Sequence, residues 1–316
     1  MRIVHLDDGG ISLAGDIDFS GFHRVGEFTA YPSSTPEEGA SRCHEAEVVV
    51  TNKAKVTAAA IDGAANLKLV AVTATGYDNV DIAAASERGV PVCNVPGYAE
   101  HTVPQHTFAL ILNLATQAHR YWRDVENGDW QAAAEFTLLR YPTFELAGLT
   151  LGVVGFGAIG RGVARIGEAV GMRVVAHDAF GIKDDAYPNT PLDDLLSTAD
   201  VVTLHVPLND QTRNLIDAAR LAKMKPTAFV INTARGGIVD EAALADALNG
   251  DRLAGAGFDV LTTEPPSAGN PLLEAKNTLI TPHSAWSTRQ SRQKLIDETV
   301  KNIEAFASGS PTNRVA

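Results

Sequence analysis

The chain has 316 residues, 38 of them acidic and 26 basic, for a net charge of −12 and an isoelectric point near 5.2. That length accommodates two domains with separate cores, and 45% hydrophobic with 20% charged residues is a globular mixture, not a disordered one. The acidity argues against a nucleic-acid partner, which needs a basic field, and no apolar run approaches the roughly 20 residues of a membrane span.

The first third alternates short β-branched runs at 2–6, 47–51, 68–73 and 91–95 with helical stretches at 57–63 and 81–89. This alternation predicts a parallel sheet with helices on both faces. The Gly/Ser/Pro-rich stretch 31–39 reads as an exposed loop. From 101 to 119 the spacing of Val103, Thr107, Leu110, Ile111 and Leu114 predicts one long helix linking two domains. A second alternating block follows, with strands at 149–154, 173–177, 201–206, 229–232, 253–258 and 278–280. Its helices are 158–170, stopped at Gly171, and 241–249, capped by Asp240. The helical stretch 287–308 has no strand partner nearby and is expected to return to the first domain. The expected architecture is α/β with two domains. One is a split, flavodoxin-like substrate-binding domain (1–98 plus 287–316), and the other a Rossmann dinucleotide-binding domain (99–286).

Only two cysteines occur, Cys43 and Cys93. A disulfide framework is not expected, and a cytoplasmic location fits. The opening Met1-Arg-Ile-Val-His-Leu-Asp-Asp turns acidic too soon for a signal peptide.

The chemistry begins at Gly155-Phe156-Gly157-Ala158-Ile159-Gly160, which follows an apolar strand and opens a helix. Gly155 permits a tight turn, Gly157 lets backbone approach a pyrophosphate, and Gly160 allows close helix–strand packing. Phosphates would sit on amides at the positive end of the helix. Asp178 ends the next strand, where a carboxylate can accept both ribose hydroxyls and repel a 2′-phosphate. NAD is therefore expected over NADP.

Three ionisable residues follow further strand ends: Arg235 in Asn232-Thr-Ala-Arg-Gly-Gly, Glu264 in Thr263-Glu-Pro-Pro, and His283 in Thr281-Pro-His-Ser-Ala-Trp. Ligands of open α/β sheets bind at the carboxyl ends of strands. An arginine there can grip a carboxylate bidentately, a histidine can move a proton near neutral pH, and a glutamate beside it can fix its tautomer. No metal enters this scheme.

These motifs, with Thr75-Gly-Tyr-Asp-Asn-Val-Asp, Asn94-Val-Pro-Gly-Tyr and His205-Val-Pro-Leu, resemble the NAD-dependent D-isomer-specific 2-hydroxyacid dehydrogenases over nearly the whole chain. The resemblance implies that Arg235, Glu264 and His283 form the catalytic trio. It implies that the Thr75 and Gly76 amides help hold the substrate carboxylate beside Arg235 and His283. His205, Pro207, Thr233, Ala234 and Asp259 would then line the cofactor, in a site between domains. A homodimer formed through the 101–119 region is expected on the same ground.

Within the family the chain is most similar to glycerate dehydrogenases (hydroxypyruvate reductases), so the expected substrate is hydroxypyruvate or glyoxylate. Tyr98, Trp130 and Phe136 are candidates to shape its pocket. The alternatives are another 2-keto acid, or a non-catalytic NAD-sensing scaffold similar to the C-terminal-binding corepressors. Against the scaffold, those proteins add a long tail, whereas this chain stops at Arg314-Val-Ala. Phosphite and formate dehydrogenases share the fold but carry lysine at the position of Thr75 and glutamine at that of Glu264, respectively.

Overall fold

The computed structural model describes residues 1–316 as two compact units, Met1–Ala99 with Trp286–Ala316, and Glu100–Ala285. In the first unit, β1 (Arg2–His5), β2 (Glu27–Ala30), β3 (Val48–Thr51), β4 (Leu69–Val72) and β5 (Val92–Cys93) form one parallel sheet in the order β2-β1-β3-β4-β5. Every residue of β3 and β4 is buried, as in parallel strands covered on both faces. The connecting helices are α1 (Ser20–Val25), α2 (Pro36–Cys43), α3 (Ala58–Gly63) and α4 (Ile82–Glu87).

Three features of this unit differ from the sequence expectation or were absent from it. The stretch 31–39, expected as a loop, enters α2 at Pro36. Thr35 and Glu38 form a reciprocal capping box there, a signal that the surrounding serines and prolines mask. Strand β2 and helix α1 have no counterpart in the periodicity. β2 is an edge strand, exposed or half-buried along its length, so its four residues carry no strong apolar pattern.

In the second unit, α5 (Thr102–Thr116) and α6 (Ala118–Glu126) precede the sheet. They replace the single helix expected over 101–119. Gln117 sits at φ 54°, in the left-handed region, and a right-handed helix cannot continue through such a residue. The sheet then comprises β6 (Thr150–Val154), β7 (Arg173–His177), β8 (Val201–Leu204), β9 (Phe229–Asn232), β10 (Gly255–Phe258) and β11 (Thr278–Ile280), all parallel, in the order β7-β6-β8-β9-β10-β11. Its helices are α7 (Ala158–Ala169), α8 (Leu192–Thr198), α9 (Ala218–Leu221) and α10 (Glu241–Asn249). Asp240 accepts the Ala243 amide as the cap of α10, a contact of about 1 kcal/mol. Ala247, Leu248 and Leu253 lie in the core beside Leu195, Leu204 and Phe258.

The last helix, α11 (Arg289–Ala307), belongs to the first unit. There Ile296, Val300 and Ile303 pack with Ile3, Phe22 and Leu69. Arg292, almost wholly buried, donates to both oxygens of Asp16 at 2.8 and 2.7 Å and to the Ile11 and Ser287 carbonyls. The final residues run antiparallel along β5. Val315 donates to Val92, Val92 to Ala316 and Asn94 to Asn313. β5 is the edge of its sheet, so this segment satisfies backbone groups that would otherwise be open to another strand. No helix is long and apolar enough to cross a membrane.

Candidate active site

Each sheet reverses its strand order once, at β1/β3 in the first unit and β6/β8 in the second; in open α/β sheets the crevice at such a reversal takes the ligand. At β6/β8 the loop is made by glycine. Gly155 has φ +91°, and a Cβ there would lie 2.7 Å from the His205 carbonyl carbon, so only a bare backbone passes between the ends of β6 and β8. A Cβ on Gly160 would lie 2.1 Å from the Gly155 carbonyl oxygen, whereas one on Gly157 would meet nothing within 4 Å. Gly157 is also the N-cap of α7 and brings no side-chain acceptor. The opening of a twelve-residue helix thus presents amide donors beside open space, which suits an anionic phosphate.

Asp178, just past β7, accepts the Phe156 amide at 2.9 Å on one oxygen and the Phe180 amide at 3.0 Å on the other. Asn189 brackets its backbone with two further hydrogen bonds. The carboxylate is thereby fixed over the glycine loop, with lone pairs remaining on both oxygens. The crevice fits a dinucleotide. His205 begins the loop after β8, donating its amide to Val154. Burial depresses its imidazole to about 3, so it is neutral, and its Nε2 has no hydrogen-bond partner.

The trio lies past β9, β10 and β11, three neighbouring strands. Asn232 shapes the Arg235 segment, its side chain accepting the Ala234 amide at 3.0 Å and donating to the Arg235 carbonyl at 2.8 Å. Gly236 then packs so closely that a Cβ would lie 2.0 Å from the Leu261 carbonyl carbon and 2.2 Å from the Thr262 nitrogen. That contact presses the Arg235 segment onto the segment carrying Glu264. Glu264 uses one oxygen to accept the Leu261 amide at 2.9 Å and the other to meet His283 Nδ1 at 2.6 Å. An ionised carboxylate only accepts, so Nδ1 carries the proton of that contact, which fixes the tautomer of the ring. Both side chains are partly exposed, as groups that meet a substrate must be.

Asp259, at the end of β10, is 1% exposed. Its carboxylate accepts the Thr281 hydroxyl at 2.5 Å and the Ser284 and Ala285 amides at 2.9 and 2.8 Å, and its carbonyl accepts the His283 amide at 2.8 Å. Burial raises its carboxyl, but the His106 ring 3.4 Å away and donation from Thr281, Ala285 and Ser284 outweigh that and hold it below the ordinary range. Thr233, also buried, meets the Thr107 hydroxyl at 3.0 Å, and Pro207 is exposed.

In the first unit, Thr75 and Gly76 follow β4. Thr75 donates its hydroxyl to Val95, and its carbonyl accepts from Asn94 at 2.7 Å. The Asn94-Val-Pro-Gly-Tyr motif therefore secures the Thr75 segment from within the same unit. Tyr98 packs edge-on against Trp286. Trp130 donates to the Phe136 carbonyl, and the two rings are 52% and 87% exposed, so neither is a core residue. Sequence reasoning missed this support: Asn94 and Asn232 each open a motif without announcing what their side chains hold, and His106 lies in none.

A dinucleotide crevice with an arginine segment and a carboxylate-backed histidine on neighbouring strand ends defines a nicotinamide-dependent oxidoreductase. Residues 108–285 match the family model described as the D-isomer specific 2-hydroxyacid dehydrogenase NAD binding domain. The chain is 42% identical to a glycerate dehydrogenase of Methylorubrum extorquens, covering 99% of this chain and 98% of that one. It is 39% identical to a hydroxypyruvate reductase of Blautia hydrogenotrophica, covering 100% and 99%. A solved Aquifex aeolicus D-lactate dehydrogenase, in complex with NAD and lactic acid, superposes with a TM-score of 0.82 at 30% identity, covering 98% of this chain and 96% of that one. The chain belongs to the D-isomer-specific 2-hydroxyacid dehydrogenase family, and it is an oxidoreductase acting on the CH–OH group of a 2-hydroxy acid.

Proposed function

We propose that this enzyme reduces hydroxypyruvate, and glyoxylate with it, to the D-2-hydroxy acid, with NADH as the preferred cofactor. The observation that carries the mechanism is the 2.6 Å contact between His283 Nδ1 and Glu264, which fixes the tautomer and orientation of the imidazole. Arg235 binds the substrate carboxylate and polarises the keto oxygen, and the Thr75 and Gly76 amides take part in holding that carboxylate. When bound, a nicotinamide would supply the hydride to C2. His283 delivers a proton from Nε2 to the forming alkoxide, and Glu264 stabilises the charge that the imidazole carries. In the oxidative direction His283 is the base. Fixed charge and fixed geometry supply most of the acceleration.

Gly155, Phe156, Gly157, Ala158, Ile159 and Gly160 take the pyrophosphate, Asp178 the adenosine ribose, and His205, Pro207, Thr233, Ala234 and Asp259 the nicotinamide half. The Asp178 carboxylate supports NADH over NADPH, because a 2′-phosphate would face a fixed negative charge. The choice of substrate rests on full-length likeness to the two relatives named for glycerate and hydroxypyruvate.

We assign a homodimer through the 101–119 region. Trp122, Trp130, Phe136 and Leu139 are 52–88% exposed in the segment that follows it, and large exposed aromatics favour a partner surface. Two unpaired, buried cysteines accord with a reducing, cytoplasmic setting.

The test is NADH oxidation with hydroxypyruvate, glyoxylate, pyruvate and a bulky 2-keto acid, repeated with NADPH. Preference for either of the first two with NADH supports the reading. Preference for the bulky acid overturns the substrate but keeps the mechanism.

A further inference from the structure

Helix α5 touches the two segments that bear Arg235 and His283 through consecutive residues. Thr107 meets Thr233, two positions before Arg235. His106 Nε2 lies 2.9 Å from Thr281 Oγ1 and 3.4 Å from Asp259 Oδ1, two positions before His283. The Thr281 hydroxyl has one proton, and it is directed to Asp259 at 2.5 Å. A contact of 2.9 Å from His106 is then a hydrogen bond only if the ring donates from Nε2 and the hydroxyl accepts. The donors run from His106 to Thr281 to Asp259, and end on a carboxylate that also gathers the Ser284 and Ala285 amides. The same residue's carbonyl holds the His283 amide.

This network has backbone strain to oppose. His283 sits at φ 51°, a left-handed conformation that a non-glycine residue keeps only where its surroundings over-determine it. Without that conformation the imidazole leaves the line set by Glu264.

We propose that His106 is a positioning residue for the reaction. By donating from Nε2 to Thr281, it completes the Asp259-centred network that holds the His283 backbone in its left-handed conformation and so aims the imidazole. The inference rests on the dehydrogenase reading above. His106 itself takes no proton from the substrate and makes no contact with it.

The experiment uses the full chain, with wild type, His106→Ala, His106→Gln, Thr281→Val and the His106→Ala/Thr281→Val double variant. Misaiming a catalytic group by about 1 Å costs about 10–100-fold, so kcat of His106→Ala should fall by that factor. NADH dissociation constant and melting temperature should stay close to wild type. His106→Gln keeps an N–H donor and should recover most of the lost kcat. Residues acting through one network are non-additive, so the double variant should be no more than about twofold slower than the worse single variant.

Wild-type kcat in His106→Ala overturns the inference. So does a parallel loss of NADH affinity and melting temperature, which would mark a general structural role, and so does failure of glutamine to recover the rate. If His106→Ala does not accumulate folded, Thr281→Val carries the same comparison, and wild-type kcat there overturns it. Absence of wild-type turnover on every 2-keto acid overturns both this inference and the dehydrogenase reading, whereas a fast His106→Ala in an active enzyme overturns this one alone.

Discussion

The two sheets share the order 2-1-3-4-5 over their first five strands, the second adding a sixth, and treat the point of reversal in opposite ways. In the second unit the crevice between β6 and β8 is kept clear by Gly155 and Gly157, and the ends of the two strands meet backbone to backbone. In the first unit the equivalent crevice is filled from within. Asp7, just past β1, accepts the Asn52, Lys53 and Ala54 amides of the segment after β3. Its burial outweighs those three donors and holds its carboxyl above the ordinary range. One sheet thus leaves amide donors after its first strand open to a ligand phosphate, and the other joins the carboxylate after its first strand to the amides after β3. Topology supplies a crevice at the reversal in both, bordered by bare backbone in one and closed by the Asp7 carboxylate in the other.

The sharpest way to break this comparison is to remove the chemistry from the open site. His283→Ala should lower kcat by about 10²–10⁴-fold, the worth of a positioned general acid, while NADH titration by fluorescence stays near wild type. Retained turnover would remove His283 from the mechanism. Asp178→Asn should weaken NADH by about tenfold or more through lost charge-assisted hydrogen bonds and narrow the gap to NADPH. An unchanged ratio of the two affinities would take the ribose away from Asp178.

Gly155→Ala tests whether the second crevice depends on bare backbone. The added Cβ meets the His205 carbonyl in a left-handed conformation, so thermal unfolding should show a loss of about 1–3 kcal/mol. Asp7→Asn is the matching change in the first crevice. Asparagine keeps one acceptor oxygen and loses the other, so the cost should be about 1 kcal/mol, with NADH affinity unaltered.

A further effect is pH-dependent and present in both units. His5 and His205 are each pushed down by burial to about 3. Once unfolded, both return to about 6.5. Below pH 6.5 the unfolded chain binds protons that the folded chain refuses, so stability falls as pH drops from 6.5 toward 3. The slope approaches about 1.4 kcal/mol per pH unit for each ring. Chemical denaturation of His5→Gln at pH 7 and pH 5 should show a flatter fall than wild type, and an equal fall would mean that His5 is protonated in the folded state.

What the sequence disclosed follows from the range of the interactions involved. The strand–glycine–helix unit, the Asp240 cap and the strand ends bearing Arg235 and His283 are local, and periodicity with turn chemistry reveals them. The 2.6 Å pairing of His283 with Glu264 was an expectation from residue type that only coordinates could place. Gln117 hid the break between α5 and α6, because a left-handed residue that is not glycine leaves no mark in composition. The edge strand β2 was silent for want of a buried face. His106 and Asp259 were furthest from view as a pair, since they meet across the fold and neither spacing nor propensity connects them.

The backbone bonds between 313–316 and β5 also bear on how the protein should be handled. Deleting those few residues would leave both crevices intact and bare the margin of the first sheet. Such a variant should lose soluble material on storage, because the uncovered β5 offers its backbone to another strand.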